Sequence, residues 1–68
     1  MRKNLESDLD FFAVALHQIP VTVMHFDEIM GHGIVEKYTP HTVKLLSKDG
    51  ASTEYFFRDI CTFFVNID

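Results

Sequence analysis

The chain has 68 residues, one cysteine and a formal net charge of −4. A chain of this length forms one domain, residues 1–68, and buries only about 60% of the surface that its unfolded form exposes. The lone Cys61 excludes an internal disulfide and a cysteine-based zinc site, and the acidic balance excludes a globally basic surface for nucleic acid. Because small domains are otherwise stabilised by disulfides, metals or oligomerisation, these totals favour self-association.

A helix is predicted over residues 4–18, after a short tail. One apolar stripe is formed by the residues at spacings of four, three and four, which are Leu5, Leu9, Phe12 and Leu16. Either Asn4 or Ser7 can cap the start of the helix. Pro20 prevents its continuation and favours an extended conformation at the preceding residue.

Five short strands are predicted after the helix. They cover residues of about 20–27, 29–38, 41–47, 52–57 and 60–66. Gly31 and Gly33 mark a sharp bend or a close backbone approach inside the second of these strands. The pattern predicts a mainly β fold, in which an N-terminal α-helix is followed by a five-stranded, strongly bent antiparallel small barrel.

The last two predicted strands carry an excess of aromatic side chains. Successive strand residues point to opposite faces, so neither aromatic pair can place both rings in one core. A chain this short hardly supplies a second core. The residues predicted to meet a neighbouring subunit are therefore Tyr55, Phe56, Phe57, Phe63 and Phe64.

Four short stretches together carry a family likeness. They are Pro20-Val21-Thr22-Val23, Gly33-Ile34-Val35-Glu36-Lys37-Tyr38, Thr42-Val43 and Ile60-Cys61-Thr62. In this order and after a helix, they resemble the Sm/LSm superfamily, and most of all its bacterial Hfq branch. The resemblance implies an Sm-like (SH3-like) barrel, and we predict no cofactor. It also implies a homomeric ring, usually of six subunits with five to seven possible, in which the fourth strand pairs with the fifth strand of the next subunit.

The resemblance further implies that single-stranded RNA binds at the helix side of the pore. The matching positions are Thr39, His41, Phe57 and Arg58. Here the family's Lys-His pair is replaced by Phe57 and Arg58. His41 is interpreted as a base-stacking residue or as an exposed turn residue, and Arg58 as an RNA contact or an intersubunit ion pair. Phe57 is either interface packing or a stacking platform.

The resemblance implies a second RNA site on the opposite face. Its positions are Met24, His25, Ile29, His32 and Thr62. Asp27 and Glu28 add negative charge where RNA would pass. Two histidines, His25 and His32, can also be interpreted with Asp27 as a metal site, but their spacing matches no zinc signature and we predict none.

No nucleophile–base motif, phosphate loop or distinctive carboxylate pair is present, so we predict no enzyme. Two functions remain. The first is a ring that binds single-stranded RNA in post-transcriptional regulation, and the second is a structural or protein-interaction ring that has lost RNA binding. Met1-Arg2-Lys3 is followed by an acidic, amphipathic segment rather than an apolar run, and no window would span a membrane. We therefore expect a cytoplasmic protein without a membrane partner, with Cys61 as a small buried hydrophobe.

Overall fold

The computed structural model describes residues 1–67, which form one helix and six antiparallel strands. In chain order the elements are β1 (Arg2–Leu5), α1 (Asp8–Leu16), β2 (Val21–His25), β3 (Glu28–Tyr38), β4 (Thr42–Leu46), β5 (Thr53–Phe57) and β6 (Thr62–Asn66). The prediction of a mainly β antiparallel domain with a helix before its main strands is confirmed. No helix within residues 1–67 is both long and apolar enough to cross a membrane.

The first residues form a strand where the sequence predicted a tail and the start of the helix. β1 pairs antiparallel with β6, from Arg2 opposite Asn66 to Leu5 opposite Phe63. The helix therefore begins later, at Asp8, with Ser7 rather than Asn4 as its cap. A four-residue segment with a polar start gives little periodic signal, and its strand conformation depends on a partner about 60 positions away.

A reciprocal capping box fixes the junction between β1 and α1. The Ser7 hydroxyl accepts a hydrogen bond from the Asp10 backbone N–H, at 3.2 Å. The Asp10 carboxylate in turn accepts from the backbone N–H groups of Glu6 and Ser7, at 3.0 and 3.2 Å. These bonds satisfy donors at the helix N-terminus that would otherwise lack partners.

The helix packs on the domain with a face other than the apolar stripe that the sequence spacing indicates. Phe11 and Val14 are buried, and the Phe11 ring contacts the rings of Tyr38 and Phe63, with centroids 6.1 and 5.4 Å away. The predicted stripe residues Leu9, Phe12 and Leu16 are 74%, 51% and 63% exposed. The helix is therefore apolar on two sides, and the side of Phe11 and Val14 is the one that is buried.

Strand β3 changes partner half-way along its length. Its first part pairs with β2, where Val21 lies opposite Gly33, and its second part pairs with β4, where Ile34 lies opposite Leu46. A side-chain carbon added to Gly33 would collide with the backbone carbonyl of Leu46. The predicted close approach at this glycine is therefore confirmed, because only glycine lets the two backbones come together here.

The sheet has the strand order β1-β6-β2-β3-β4-β5 and does not close within residues 1–67. Its two edges are β1 and β5. The five predicted strands are all present, four of them with slightly shorter bounds and β3 with one more residue at its start. The sheet has six strands because β1 is added next to β6. The core between sheet and helix is formed by Leu5, Phe11, Val14, Val21, Val23, Val35, Val43, Leu45, Phe56, Phe63 and Val65.

Candidate interaction surfaces

The four residues predicted on the helix side lie close together, where β4 begins and β5 ends. The Arg58 backbone N–H donates to the His41 carbonyl at 2.8 Å, and Phe57 is paired with Thr42. The Thr39 hydroxyl accepts from the backbone N–H groups of His41 and Thr42, at 3.2 and 2.9 Å. The fold thus brings Thr39, His41, Phe57 and Arg58 into one small region, although they come from two separate segments.

Within this region the Arg58 side chain is engaged by the chain itself. Its Nη1 atom donates to the Asp8 carboxylate at 2.7 Å and to the Thr39 carbonyl at 2.6 Å. The guanidinium also lies 4.5 Å from the centre of the Phe11 ring. Only 14% of the side chain is exposed. Arg58 therefore ties the start of α1 to the sheet and presents little of its charge to solvent.

His41 and Phe57 remain exposed beside this anchor. Phe57 is 61% exposed, and its neighbour on the same face of β5, Tyr55, is 62% exposed. The imidazole of His41 is also exposed. Flat rings exposed in this way can stack on a nucleobase or pack against an apolar protein surface.

On the opposite face, three of the five predicted residues form one row across the sheet. Met24 lies opposite Ile29 on one side and opposite Thr62 on the other. His32 lies further along the same sheet, opposite Thr22, with its Nδ1 atom 3.1 Å from the Thr22 hydroxyl. The Met24, Ile29 and Thr62 side chains are thus grouped, whereas His32 belongs to a separate position.

His25, the fifth residue of this set, lies at the hairpin between β2 and β3. Its ring lies 4.2 Å from the ring of Phe26, measured between centroids. Phe26 is 87% exposed, and both Phe26 and Asp27 have positive φ angles, of 50° and 64°. The reversal between β2 and β3 thus lies at Phe26-Asp27. The exposed Phe26 was missed because its alternation with Met24 suggested an ordinary strand residue.

A groove of about 450 Å³ lies beside His32. It is lined by Ile19, Pro20, Thr22, His32, Lys48 and Asn66. Lys48 and Asn66 were not predicted as site residues, because they come from a turn and from the end of β6, far from His32 in sequence. No group of three histidine, cysteine or acidic side chains within residues 1–67 is placed to hold a metal ion.

The five aromatic residues predicted at the subunit interface divide into two groups. Phe56, Phe63 and Phe64 are buried within the single chain, whereas Tyr55 and Phe57 are exposed. The outer face of Phe64 is covered by the Arg2 guanidinium, 4.4 Å from the ring centre. An interface that uses this region would therefore involve Tyr55 and Phe57 first.

Three of the six Lys and Arg side chains lie close to a carboxylate. Lys44 lies 3.4 Å from the Glu36 carboxylate, and Lys3 lies 3.9 Å from that of Asp10. Arg58 pairs with Asp8. Since the chain also has a net charge of −4, the described surface offers little electrostatic attraction to a nucleic acid.

Cys61 lies half-buried next to the β5–β6 turn. Burial, and to a smaller extent the neighbouring Asp59 carboxylate, raises the pKa of its thiol above the ordinary value. A raised pKa keeps the thiol protonated at neutral pH, which disfavours a nucleophilic or metal-binding role.

Comparisons with known proteins gave no match, whether against family models, curated proteins or solved structures.

Proposed function

We propose that this chain is an Sm-like subunit that assembles with copies of itself and acts chiefly as a structural or protein-interaction unit. The observation that carries this proposal is the open edge of β5, next to which Tyr55 and Phe57 are both more than 60% exposed. An edge strand presents unpaired N–H and C=O groups, and exposed aromatics beside it favour pairing with another chain. The bent β3 strand and its Gly33 approach to β4 fit the family likeness of the sequence.

The helix adds to the apolar surface. Leu9, Phe12 and Leu16 lie at helical spacing on its outer side and are all more than half exposed. Monomeric proteins rarely expose large contiguous apolar patches, so a second such surface on so small a domain also favours a protein partner. The engagement of Arg58 by Asp8 favours this function over a phosphate-binding one.

Light scattering coupled to size exclusion, over a range of protein concentrations, tests the assembly. We expect a discrete multimer for the wild-type chain and a shift towards monomer for Phe57→Glu, because a charge would be placed beside the proposed contact. Phe26→Glu is the matched control, since it makes the same substitution at an exposed ring in the β2–β3 hairpin, outside both proposed surfaces. Leu16→Glu tests the helix surface separately. A wild-type monomer at all concentrations contradicts the proposal. Dissociation by Leu16→Glu alone would move the contact from β5 to the helix.

A second function, the binding of single-stranded RNA, is favoured by one specific observation. His41 and Phe57 are both exposed, one just before the start of β4 and the other at the end of β5, where each ring could stack on a base. Fluorescence anisotropy with short U-rich and A-rich RNAs at two salt concentrations tests this function. Binding that weakens with salt and is lost in His41→Ala supports it on this side of the domain. Loss in Met24→Ala instead places it on the opposite face, and no binding at low salt excludes it.

A further inference from the structure

The outer edge of β6 is already occupied by the chain's own first strand. β1 pairs with β6 over four residues, and the Ile67 backbone N–H continues the ladder by donating to the Met1 carbonyl at 2.6 Å. On its other side β6 pairs with β2. Both edges of β6 are therefore filled, and no second chain can add a strand to it while β1 stays in place.

β1 is held much less firmly than the strand it covers. Three of its four residues, Arg2, Lys3 and Asn4, are exposed, and only Leu5 enters the core. The Lys3–Asp10 ion pair is 3.9 Å long and lies at the surface. Strands with few buried contacts open locally at a low free-energy cost, so β1 is the element of the sheet best suited to leave it.

If β1 left the sheet, the outer edge of β6 would be open to another strand, with the apolar ring of Phe64 beside it. The β6 backbone would lose its hydrogen-bond partners along one side, and Phe64 would lose the Arg2 guanidinium that lies over its ring. An extended strand with aromatic side chains would restore both contacts. β5 of a second copy fits this requirement, since it is the open edge of the sheet, has five residues like β6 and presents Tyr55 and Phe57 beside that edge.

We infer that β1 is an autoinhibitory strand that competes with β5 of a second copy for the outer edge of β6. This inference rests on the proposed self-assembly and states how that assembly is regulated. The bound β1 is a local, intramolecular competitor, so β5 of a second copy displaces it only where the concentration and affinity of that copy together outweigh those of the tethered strand. Conditions or ligands that release β1 therefore promote assembly, and conditions that fix it maintain the monomer.

The first test weakens β1 in the full-length chain. In Lys3→Pro/Asn4→Pro the prolines remove two successive N–H groups, one of which points towards β6 because neighbouring N–H groups of a strand point to opposite sides. Lys3→Ala/Asn4→Ala is the matched control, which removes the same side chains and keeps the N–H groups. We expect the proline variant to reach half-assembly at a protein concentration at least tenfold below that of the alanine variant, as measured by light scattering.

The second test fixes β1 on β6. Arg2 and Asn66 lie directly opposite each other, so Arg2→Cys/Asn66→Cys on a Cys61→Ala background places two thiols across the ladder within the range of a disulfide. We expect the oxidised variant to stay monomeric and the reduced variant to assemble. Circular dichroism of each variant confirms that the domain remains folded.

The outcomes separate the inference from the proposed function. If the oxidised variant assembles as well as the reduced one, or if the proline and alanine variants assemble alike, autoinhibition by β1 is wrong while self-assembly stands. If every folded variant stays monomeric, self-assembly itself is wrong, and the inference fails with it. Weaker assembly of the proline variant would show that β1 supports the contact instead of competing with it.

Discussion

β5 and β6 have similar sequences, Thr-Glu-Tyr-Phe-Phe and Thr-Phe-Phe-Val-Asn, but different surroundings. In β5 only Phe56 is buried, whereas in β6 three consecutive residues are buried. β6 lies between β1 and β2, and β5 lies at the edge of the sheet. The difference shows that position in the sheet, rather than aromatic content, decides which strand completes the core and which remains available to a partner.

The two adjacent rings of β6 find two different environments within one chain. Phe63 enters the core and meets Phe11 edge to face, at 5.4 Å between centroids. Phe64 points to the other side, where Arg2 covers it at 4.4 Å. The sequence argument that one ring of such a pair needs a second apolar environment was therefore incomplete, because a guanidinium plane from β1 can cover an aromatic face.

The largest expected effect is the difference in stability loss between a substitution in β6 and one in β5. Phe63→Ala should lower the free energy of unfolding by about 3–5 kcal/mol, because it leaves a cavity beside Phe11 in the core. Phe57→Ala should change it by less than about 0.5 kcal/mol in the monomer, since its ring is already largely in solvent. Urea unfolding at a concentration where the chain is monomeric measures both. Equal losses would contradict the distinction between a core strand and an edge strand.

Arg58, in the turn that joins the two strands, should give the next largest effect. Arg58→Ala should lower the free energy of unfolding by about 1.5 kcal/mol, because the Thr39 carbonyl and the Asp8 carboxylate lose a charged hydrogen-bond donor. Asp8 is mostly exposed, so solvent screens this pair and the loss stays modest. Asp59→Ala, which alters an exposed neighbour in the same turn, is the control and should have little effect. If Arg58→Ala leaves stability unchanged, Arg58 is not the anchor described above.

A smaller effect is expected where β1 covers β6. Arg2→Ala should lower the free energy of unfolding by about 0.5–1 kcal/mol, through loss of the cation–π contact with Phe64. A double-mutant cycle with Phe64→Leu isolates this contact, because the second substitution removes the aromatic face and keeps an apolar side chain. A coupling energy indistinguishable from zero would show that Arg2 does not stabilise the position of Phe64.

The smallest effect concerns the junction of β1 with α1 and depends on pH. The backbone N–H groups of Glu6 and Ser7 lower the pKa of Asp10 below its ordinary value of 3.8. The folded state thus favours the ionised carboxylate, and this contribution is present above about pH 4 and is lost as the pH falls through the lowered pKa. Asp10→Asn should therefore flatten the decrease in stability below about pH 4, measured by thermal unfolding at a series of pH values.

Asp49 provides the comparison for this titration. The Ser47 hydroxyl and the Ala51 backbone N–H lower its pKa as well, so it adds stability with the same pH dependence but in a turn distant from β1. Asp49→Asn should flatten the acid limb in the same way. An acid limb that neither substitution changes would contradict both assignments.

The sequence by itself determined the features that depend on local pattern. Alternation, turn residues and the glycine bend located the five main strands, and Pro20 located the end of the helix within a few residues. The family likeness of the sequence also predicted that two segments would come together, which carry Thr39, His41, Phe57 and Arg58. These signals are local because each depends on residues only a few positions apart.

Only the tertiary structure decided the features that depend on distant partners. β1 is a strand because it pairs with β6, and α1 buries Phe11 because the rings of Tyr38 and Phe63 lie beneath it. The Arg58 side chain is engaged because the fold brings it next to Asp8, which is 50 positions away in the sequence. The polar start of β1 and the two apolar sides of α1 each allowed more than one arrangement. Long-range packing determined which of these arrangements formed. In the resulting sheet β5 is an open edge, on which the proposed assembly depends.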